Sequence, residues 1–287
     1  MQAMNSQPSK SRIILLTSLA MIAFAGNSLL CRAALKQTEI DAASFTSIRL
    51  LSGVFILCLI VSLRKSVGSG QGNWLSALAL FAYAAGFSFA YISLEAGAGA
   101  LLLFGAVQAT MIGYGFYIGE RLNKLQSFGL LLAFVGIVGL LLPGLSAPPL
   151  IASIIMLGAG VAWGIYSIRG KGVGDPVLIS AGNFLRTTPF FIALSLLTLN
   201  SNALDMAGLW YAVTSGALAS GLGYALWYSV LPALKSTSAS TIQLSVPVIA
   251  AIGGIVFLGE PMTLRFALAS LALLGGIALV IIKKNNS

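Results

Sequence analysis

Residues 97–119 read GAGALLLFGAVQATMIGYGFYIG, an apolar run without a charged side chain, and the pair Glu120-Arg121 follows it directly. At 1.5 Å per residue, a helix over this run would be about 35 Å long, enough to cross the roughly 30 Å hydrocarbon core of a bilayer. Apolar runs of this length, closed by charged residues, are typical of membrane-spanning helices. The run therefore predicts a transmembrane helix.

The rest of the chain repeats this pattern. Of its 287 residues, 58% are hydrophobic and 8% are charged, and the mean hydropathy is +0.97, whereas soluble domains carry about 25% charged residues. The predicted spans are residues 13–31, 43–63, 74–94, 97–119, 125–143, 148–168, 177–199, 207–231, 237–258 and 262–282. Little sequence remains for a soluble domain, so we predict an all-α integral membrane protein with ten transmembrane helices.

The net charge of +9 is distributed unevenly between the two ends of the predicted helices. If the ten spans alternate in direction, one side holds Lys10, Arg12, Arg64, Lys65, Arg121, Lys124, Arg169, Lys171, Lys235, Lys283 and Lys284. The other side holds Arg32, Lys36 and Arg265. Positive charge marks the cytoplasmic side of membrane proteins. We therefore expect a multi-pass protein of the inner membrane with both termini in the cytoplasm, and the basic balance requires no nucleic-acid partner.

An internal repeat divides the chain into two halves. An offset of 137 residues aligns Arg32 with Arg169, Arg49 with Arg186, Gly86 with Gly223, Phe87 with Tyr224, Tyr91 with Tyr228 and Leu94 with Leu231. An offset of 140 then aligns Gly119-Glu120 with Gly259-Glu260 and Gly136-Ile137 with Gly276-Ile277. We predict a first repeat over residues 1–145 and a second over 146–287, each with five helices. Because five is odd, the two repeats enter the membrane from opposite sides, an inverted arrangement that in transporters places the substrate site between the halves.

These residues resemble the drug/metabolite transporter superfamily, of the EamA type, whose members have ten helices from two five-helix repeats. The resemblance covers nearly the whole chain and is marked by Gly119-Glu120 and Gly259-Glu260 after the fourth helix of each half. Pro247 in the ninth span also follows the family pattern, whereas Val107-Gln108 occupies the corresponding place in the first half. The resemblance implies export of an amino acid or a related metabolite, and it assigns the fifth and tenth helices to the periphery.

Aromatic and amide side chains within the spans are candidates for binding a substrate. Tyr83, Phe87 and Tyr91 lie on one face of the third helix at a spacing of four residues, and Tyr224 and Tyr228 repeat the pattern in the eighth. Trp163 and Asn27 lie in glycine-containing segments of the sixth and first helices, and Gln108 and Gln243 lie inside the fourth and ninth. The aromatic residues equally fit ordinary packing or, for Tyr91 and Tyr228, an interfacial belt. For the two glutamines, hydrogen bonding between helices is slightly favoured over binding a solute.

Arg49 and Arg186 occupy equivalent positions inside their spans. A charged side chain in hydrocarbon costs about 2.5 to 3.5 kcal/mol on insertion scales, so something must offset it. Each arginine either faces a wet cavity or a carboxylate or phosphate of the substrate, or it reaches the interface or helix-end carbonyls. Pro189 follows Arg186 closely and favours a cavity or a kink at that site.

Three sequence features suggest roles in the fold. Glu120 and Glu260 each follow a glycine, Gly119 or Gly259, at a helix end, which favours a turn or end-cap role over proton coupling. Pro247 frees backbone groups inside the ninth span and suggests a kink or hinge.

Three classes of function are consistent with such a bundle. The first is a transporter of a small molecule that works by alternating access, with a drug or toxic-compound efflux carrier as the alternative to a metabolite exporter. An intramembrane enzyme needs buried catalytic groups, and no Asp, Glu or His lies in the middle of a predicted span. A channel would need a ring of selectivity groups. We therefore expect a carrier without a cofactor, metal or catalytic residue, acting as a monomer in the lipid bilayer.

Overall fold

The computed structural model describes residues 10–64, 72–119, 121–144, 146–170, 174–199, 203–234 and 241–282. These residues form ten helices and no strand. The helices are α1 (Lys10–Gln37), α2 (Ala42–Leu63), α3 (Trp74–Tyr91), α4 (Ala96–Tyr117), α5 (Lys124–Leu141), α6 (Leu150–Arg169), α7 (Pro176–Leu197), α8 (Met206–Thr214, Ser215–Leu222 and Gly223–Val230 in succession), α9 (Thr241–Leu258) and α10 (Leu264–Ile282).

The prediction of ten helices in two inverted five-helix repeats is confirmed, with ends that differ by a few residues. Within the described residues, nine helices are long and apolar enough to cross a membrane. The eighth, α8, falls outside that group because its middle segment, Ser215–Leu222, winds as a π-helix between two α-helical segments. Short π segments are frequent at functional sites.

Several helices begin at a side chain that accepts hydrogen bonds from free backbone N–H groups. Asp41 caps α2, Asn73 caps α3, Asn123 caps α5, Asp175 caps α7 and Asp205 caps α8. Short polar side chains satisfy the unpaired N–H groups of a first turn. These residues lie at the ends of the spans, where they separate one apolar run from the next.

Prolines interrupt two of the helices. Pro189 has no N–H and its ring displaces the carbonyl four residues earlier, so α7 breaks between Arg186 and Thr188. In the same way Pro247 cannot bond to the carbonyl of Gln243, and α9 has a turn at Leu244. The sequence predicted a kink or hinge at Pro247, and the irregular turn lies within one helical turn before it.

The two repeats interlock. From the first half, α1 packs against α8 and α9 of the second, whereas α6 of the second half packs against α3 and α4 of the first. The peripheral pair α5 and α10 meets through equivalent glycines: a Cβ on Gly136 would lie 2.8 Å from the backbone N of Leu273, and Gly276 closely approaches the backbone of Gly129. Because α1 packs into the second half and α6 packs into the first, both halves contribute to the core.

The helices alternate in direction, so the bundle has two distinct ends. The basic end contains the start of α1 and the end of α6, where Arg169 donates to Asn73 Oδ1 at 3.0 Å. The opposite end contains the α1–α2 turn, where Lys36 donates to the carbonyl of Leu258 at 3.3 Å, and the α5–α6 turn, where Arg265 donates to the carbonyl of Leu142.

Candidate functional site

A cavity of about 380 Å³ lies inside the bundle. Its lining is Phe24, Asn27 and Ser28 of α1, Tyr83 and Phe87 of α3, Leu103, Phe104, Val107 and Met111 of α4, Trp163 and Ser167 of α6, Ala219, Ser220, Tyr224 and Trp227 of α8, Gln243 of α9, and Gly170, Pro176, Leu231 and Leu234 near helix ends. The described residues of α2, α5 and α10 contribute nothing to it. Both repeats therefore build the cavity. It is mostly apolar with a few polar groups, as small-molecule sites are.

A second, larger hollow of about 760 Å³ lies on the outer surface where α4 meets α5. Its wall includes Phe116, Leu131 and Phe134, which are exposed on the outside of the bundle. Exposed apolar side chains on a membrane-spanning bundle face lipid tails. The internal cavity is therefore the candidate site.

Three aromatic rings meet at the middle of the cavity. The ring centroid of Trp163 lies 4.6 Å from that of Tyr83 and 5.2 Å from that of Tyr224. Trp163 lies on α6 of the second repeat, and Tyr83 lies on α3 of the first. Tilted rings at these distances attract one another and expose flat faces to a ligand. The cluster gives the cavity surfaces on which an aromatic or apolar group can stack.

Asn27 connects the aromatic cluster with the π segment of α8. Its Nδ2 donates to the hydroxyl of Tyr83 at 3.2 Å, and its Oδ1 accepts from Ser215 Oγ at 2.6 Å. Ser215 is the first residue of the π segment, and Ala219 and Ser220 of the same segment line the cavity. The amide of Asn27 thereby fixes the orientation of Tyr83 and places a polar edge inside an apolar cavity.

The cavity extends further toward the basic end than toward the opposite end. Gly170 and Pro176, at the end of α6 and the start of α7, line it on the basic side, together with Leu231 and Leu234. On the other side it stops at Phe87, which is 1% exposed and contacts the ring of Tyr91 at 4.7 Å. The ring of Phe87 therefore separates the cavity from the opposite end.

A polar network holds the opposite end together. The Nε of Arg32 lies 3.3 Å from Glu260 Oε1, and its Nη1 donates to the carbonyls of Tyr91 and Ile92 at 3.0 and 2.9 Å. Glu260 Oε2 accepts the backbone N–H of Ala96 at 2.8 Å. This network joins α1, the α3–α4 turn and the end of α9, and it closes the bundle beyond Phe87.

Glu95 lies beside this network, half-buried just before α4. Burial raises the pKa of its carboxyl above the ordinary value, and the negative charge of Glu260 adds to the rise. The cations Arg32 and Lys36 act in the other direction without cancelling it. The opposite end therefore holds two nearby carboxyls, of which Glu260 has the close cationic partner.

Six of the predicted binding residues come together in the cavity: Asn27, Tyr83, Phe87, Trp163, Tyr224 and Gln243. Four others do not line it: Tyr91, Gln108, Arg49 and Arg186. For Tyr228, which the backbone places near the end of α8, and for Glu120, the side chains lie outside the described residues. The spacing of four residues on α3 and the repeat between α3 and α8 thus led to three of the aromatic lining residues, Tyr83, Phe87 and Tyr224.

The four residues outside the cavity have different surroundings. Tyr91 is buried and donates its hydroxyl to the carbonyl of Ala96 at 3.1 Å, so it joins α3 to α4. Gln108 is 3% exposed, and its Nε2 has no hydrogen-bond partner among the described residues. Arg186 is half-buried, and its Nη1 donates to the carbonyl of Gly182 at 2.9 Å, next to the break in α7.

Arg49 is the most unusual of the four. It is 2% exposed on α2, and its Cζ lies 4.9 Å from the ring centroid of Phe87 and 5.5 Å from that of Tyr83. Its Nη1 is buried and has no hydrogen-bond partner among the described residues. The guanidinium therefore lies behind two rings that line the cavity.

The two glycines of the Gly-Glu pairs have the same unusual backbone. Gly119 has φ 92° and Gly259 has φ 64°, and no atom lies within 4 Å of a Cβ built on either. Both positions need glycine because of the left-handed backbone and not for want of space. At Gly259 this turn directs the next side chain, Glu260, toward Arg32 and Ala96.

Some lining residues were not predicted. Phe24 lies three residues before Asn27, and Trp227 lies three residues after Tyr224; the two rings are 6.3 Å apart. The same helical spacing that selected Tyr83 and Phe87 could have selected both. Ser220 had no such signal, because the π segment shifts its direction relative to a regular helix.

Chemically, the site provides stacking faces, a fixed amide and hydroxyls. Among the described residues, no three His, Cys, Asp or Glu side chains come together as a metal site would require. An inverted-repeat membrane bundle with such a cavity between its halves is the architecture of a secondary transporter.

Comparison with known proteins identifies the family. The sequence profile of the EamA-like transporter family matches residues 11–142 and again residues 150–282. The chain therefore belongs to the EamA-like transporter family, as its resemblance predicted, and is a membrane transporter of small compounds.

Individual relatives are similar to this chain over most of their length. The chain is 56% identical over 271 residues to the uncharacterized protein PA1977 of Pseudomonas aeruginosa, a match that covers 94% of each chain. It is 22% identical over 254 residues to the uncharacterized transporter YoaV of Bacillus subtilis, covering 83% of this chain and 87% of the other. A solved crystal structure superimposes with a TM-score of 0.67 at 18% identity, over 97% of this chain and 100% of the other, and is similar in fold.

Proposed function

We propose that this protein is an alternating-access carrier that exports a small metabolite, an amino acid or a related compound with an aromatic or apolar side chain. The observation that carries the proposal is the cavity, which both repeats line and in which Trp163, Tyr83 and Tyr224 meet. A ligand with a flat apolar group would stack on these rings and turn its polar groups toward Asn27 and Gln243.

The two ends of the bundle support the alternating-access part of the proposal. The cavity reaches the basic end, whereas Phe87 and the Arg32–Glu260 network close the opposite end. A carrier has one end closed at a time, and inverted repeats give two such conformations by exchanging roles. This structure then corresponds to the conformation that receives its substrate at the basic end.

The orientation of the chain supports the outward direction of transport. The excess of Lys and Arg at the basic end supports a cytoplasmic location of that end and of both termini, in the inner membrane. The cavity would then fill from the cytoplasm and empty outward. Because the two repeats, residues 1–145 and 146–287, enclose the cavity within one chain, a monomer is sufficient for this cycle.

Efflux of drugs is the competing function, and the lining offers a way to distinguish the two. Among the described residues, none of the side chains that line the cavity is acidic. A cationic drug would find ring faces but no carboxylate there. The lining therefore favours neutral, zwitterionic or anionic compounds over cationic ones.

The test is transport by the purified protein in proteoliposomes. Labelled L-phenylalanine, L-leucine, a hexose and a cationic dye would be compared, in uptake and in counterflow against unlabelled compound. We expect saturable counterflow of an amino acid, and Trp163→Ala should reduce it about tenfold or more by removing the stacking surface. Trp210→Ala is the matched control, because Trp210 is 63% exposed on the outside of α8.

Two results would contradict the proposal. Equal loss in the Trp163 and Trp210 variants, both still folded, would place the site elsewhere. Transport that does not saturate and shows no counterflow would indicate a pore rather than a carrier.

A further inference from the structure

Arg49 is a buried cation in the membrane-spanning part of the bundle. It lies seven residues after Ala42, the first residue of α2, which is about 10 Å from the opposite end at 1.5 Å per residue. Its side chain is among the largest that are fully buried. A guanidinium remains charged in proteins, so this position carries a full positive charge inside the bundle.

The charge of Arg49 has no anionic partner in the part of the chain that the structure describes. There, the one ion pair joins Arg32 to Glu260, and Arg49 Nη1 has no hydrogen-bond partner. The guanidinium lies against the ring faces of Phe87 and Tyr83. A ring face attracts a cation less strongly than a carboxylate, which satisfies two N–H groups at once.

The position of those rings connects Arg49 with the cavity. Tyr83 and Phe87 both line the cavity, and both lie against the guanidinium. A solute stacked on Trp163 and Tyr83 would therefore be separated from Arg49 by the thickness of one ring. Of these two rings, Phe87 ends the cavity on its way to the opposite end, so a solute crossing the bundle must pass it.

We propose that Arg49 recognises a carboxylate on the transported solute, and that the substrate class is therefore an organic acid or amino acid with an aromatic or apolar side chain. The proposal rests on the proposed carrier function. In the present conformation Phe87 and Tyr83 cover the guanidinium. As the opposite end opens, these rings move aside and the carboxylate of the solute takes their place as the partner of Arg49.

The equivalent arginine of the second repeat differs in its burial and in its hydrogen bonding. Arg186 is half-buried, donates to the carbonyl of Gly182 in its own helix, and lies beside the break in α7. Arg186 is not itself one of the residues that line the cavity. Arg186 therefore provides a matched control at the equivalent position of the second repeat.

The experiment uses the full chain in proteoliposomes with four compounds that share a phenyl ring: 3-phenylpropionate, 3-phenylpropionamide, L-phenylalanine and 2-phenylethylamine. Counterflow kcat/KM would be measured for the parent protein, Arg49→Met, Arg49→Lys and Arg186→Met. We expect Arg49→Met to lose about tenfold or more for the two carboxylates, the loss of a charged hydrogen bond, and much less for the amide and the amine. Arg49→Lys should retain part of the preference for carboxylates over the amide and the amine. Arg186→Met should leave that preference unchanged.

The ratio of kcat/KM for 3-phenylpropionate to that for 3-phenylpropionamide distinguishes recognition of the carboxylate from a structural role of Arg49. If Arg49 only joins α2 to α3, Arg49→Met lowers transport of all four compounds by the same factor, and the proposal is overturned. Transport by the parent protein without preference for a carboxylate would overturn it too, while the carrier function would stand.

Ligand-induced thermal stabilisation of the same variants decides the case in which nothing is transported. Stabilisation by 3-phenylpropionate but not by its amide, lost in Arg49→Met, would support the Arg49 site and count against the carrier function. No stabilisation and no transport of any compound would overturn both.

Discussion

The carboxylate of Glu260 lies 3.3 Å from the Nε of Arg32, a contact between residues 228 positions apart in the sequence. Arg32 belongs to α1 of the first repeat, and Glu260 follows α9 of the second, immediately after the left-handed turn at Gly259. The other carboxylate oxygen caps α4 through Ala96. One acidic side chain thus holds three elements at the opposite end, which gives the Gly-Glu pair of the second repeat a physical role.

Replacing Glu260 by Gln should open the opposite end. The amide keeps the size of the side chain and an acceptor for Ala96, but it leaves Arg32 without a countercharge, and hydration of Arg32 then favours separation of α1 from α9. Cys31, which precedes Arg32 and is buried, reports this opening once Cys58→Ser has removed the other thiol. We expect the labelling rate of Cys31 with a polar maleimide to rise about fivefold or more.

The control for this experiment is Glu39→Gln, which removes an exposed carboxylate from the turn after α1. It should leave the labelling of Cys31 unchanged. If both variants label Cys31 at the parent rate, the Arg32–Glu260 pair does not keep the opposite end closed.

The sequence was informative about the helices because the bilayer imposes their length. Each apolar run bounded by charged or turn residues became a helix, and the equivalence of Gly136 and Gly276 correctly placed α5 and α10 in equivalent positions. The π segment Ser215–Leu222 was not predictable in this way. Its residues are compatible with a regular helix, and the contact of Ser215 with Asn27 that accompanies the change is made across the two repeats.

The cavity was harder to derive than the fold. Helices that are apolar on all sides show no difference between a lipid-facing and a cavity-facing surface, so only polar or aromatic positions gave a signal. Tyr83 and Tyr224 were found by spacing and repeat, whereas Tyr91, on the same face two turns later, turned out to bond to Ala96. Tyr83 and Tyr91 lie at different heights along α3. The packing of the neighbouring helices at each height determines whether the side chain lines the cavity or bonds to another helix.

The left-handed turn at Gly259 should make this position intolerant of alanine. Its φ is 64° and nothing lies within 4 Å of a built Cβ, so Gly259→Ala should cost about 1 kcal/mol through the backbone alone. Gly275→Ala is the matched control, since it also has open space but lies within the regular helix α10. It should stabilise the protein by about 0.5 to 1 kcal/mol. Thermal unfolding in detergent measures both, and a loss in the Gly275 variant equal to that at Gly259 would contradict the argument.

Asp41 ties the α1–α2 turn to the segment before α8. Its Oδ1 accepts from the N–H groups of Ala43 and Ser44 at 2.9 and 3.0 Å, and its Oδ2 accepts from Ala203 at 2.9 Å. Asp41→Ala should therefore lower the free energy of unfolding by about 1 to 2 kcal/mol, as other lost helix caps do. Glu39→Ala, an exposed acid two residues away, should change it much less. Equal destabilisation by the two substitutions in a thermal unfolding experiment would show that the cap has no special contribution.

The contributions of Asp41 and Glu95 to the stability of the protein should depend on pH in opposite directions. Burial alone would raise the pKa of Asp41, but hydrogen bonds from Ser44, Ala203 and Ala43 outweigh it, and the pKa lies below the ordinary value of 3.8. The stability that the ionised Asp41 contributes is therefore present above pH 3.8 and is lost as the pH falls through the pKa of the folded state.

Glu95 shows the reverse dependence. Burial and the nearby charge of Glu260 raise its pKa above 4.5, so the folded state holds this proton more tightly than the unfolded state. Ionisation of Glu95 then lowers stability as the pH rises from 4.5 through the pKa of the folded protein. Glu95→Gln, which cannot ionise, should be more stable than the parent at pH 7 and equal to it at pH 4, whereas Asp41→Asn should be less stable at pH 7 with a difference that shrinks toward pH 3. Unfolding temperatures of the three proteins between pH 3 and 8 provide the measurement, and a Glu95→Gln difference that does not grow with pH would contradict the raised pKa.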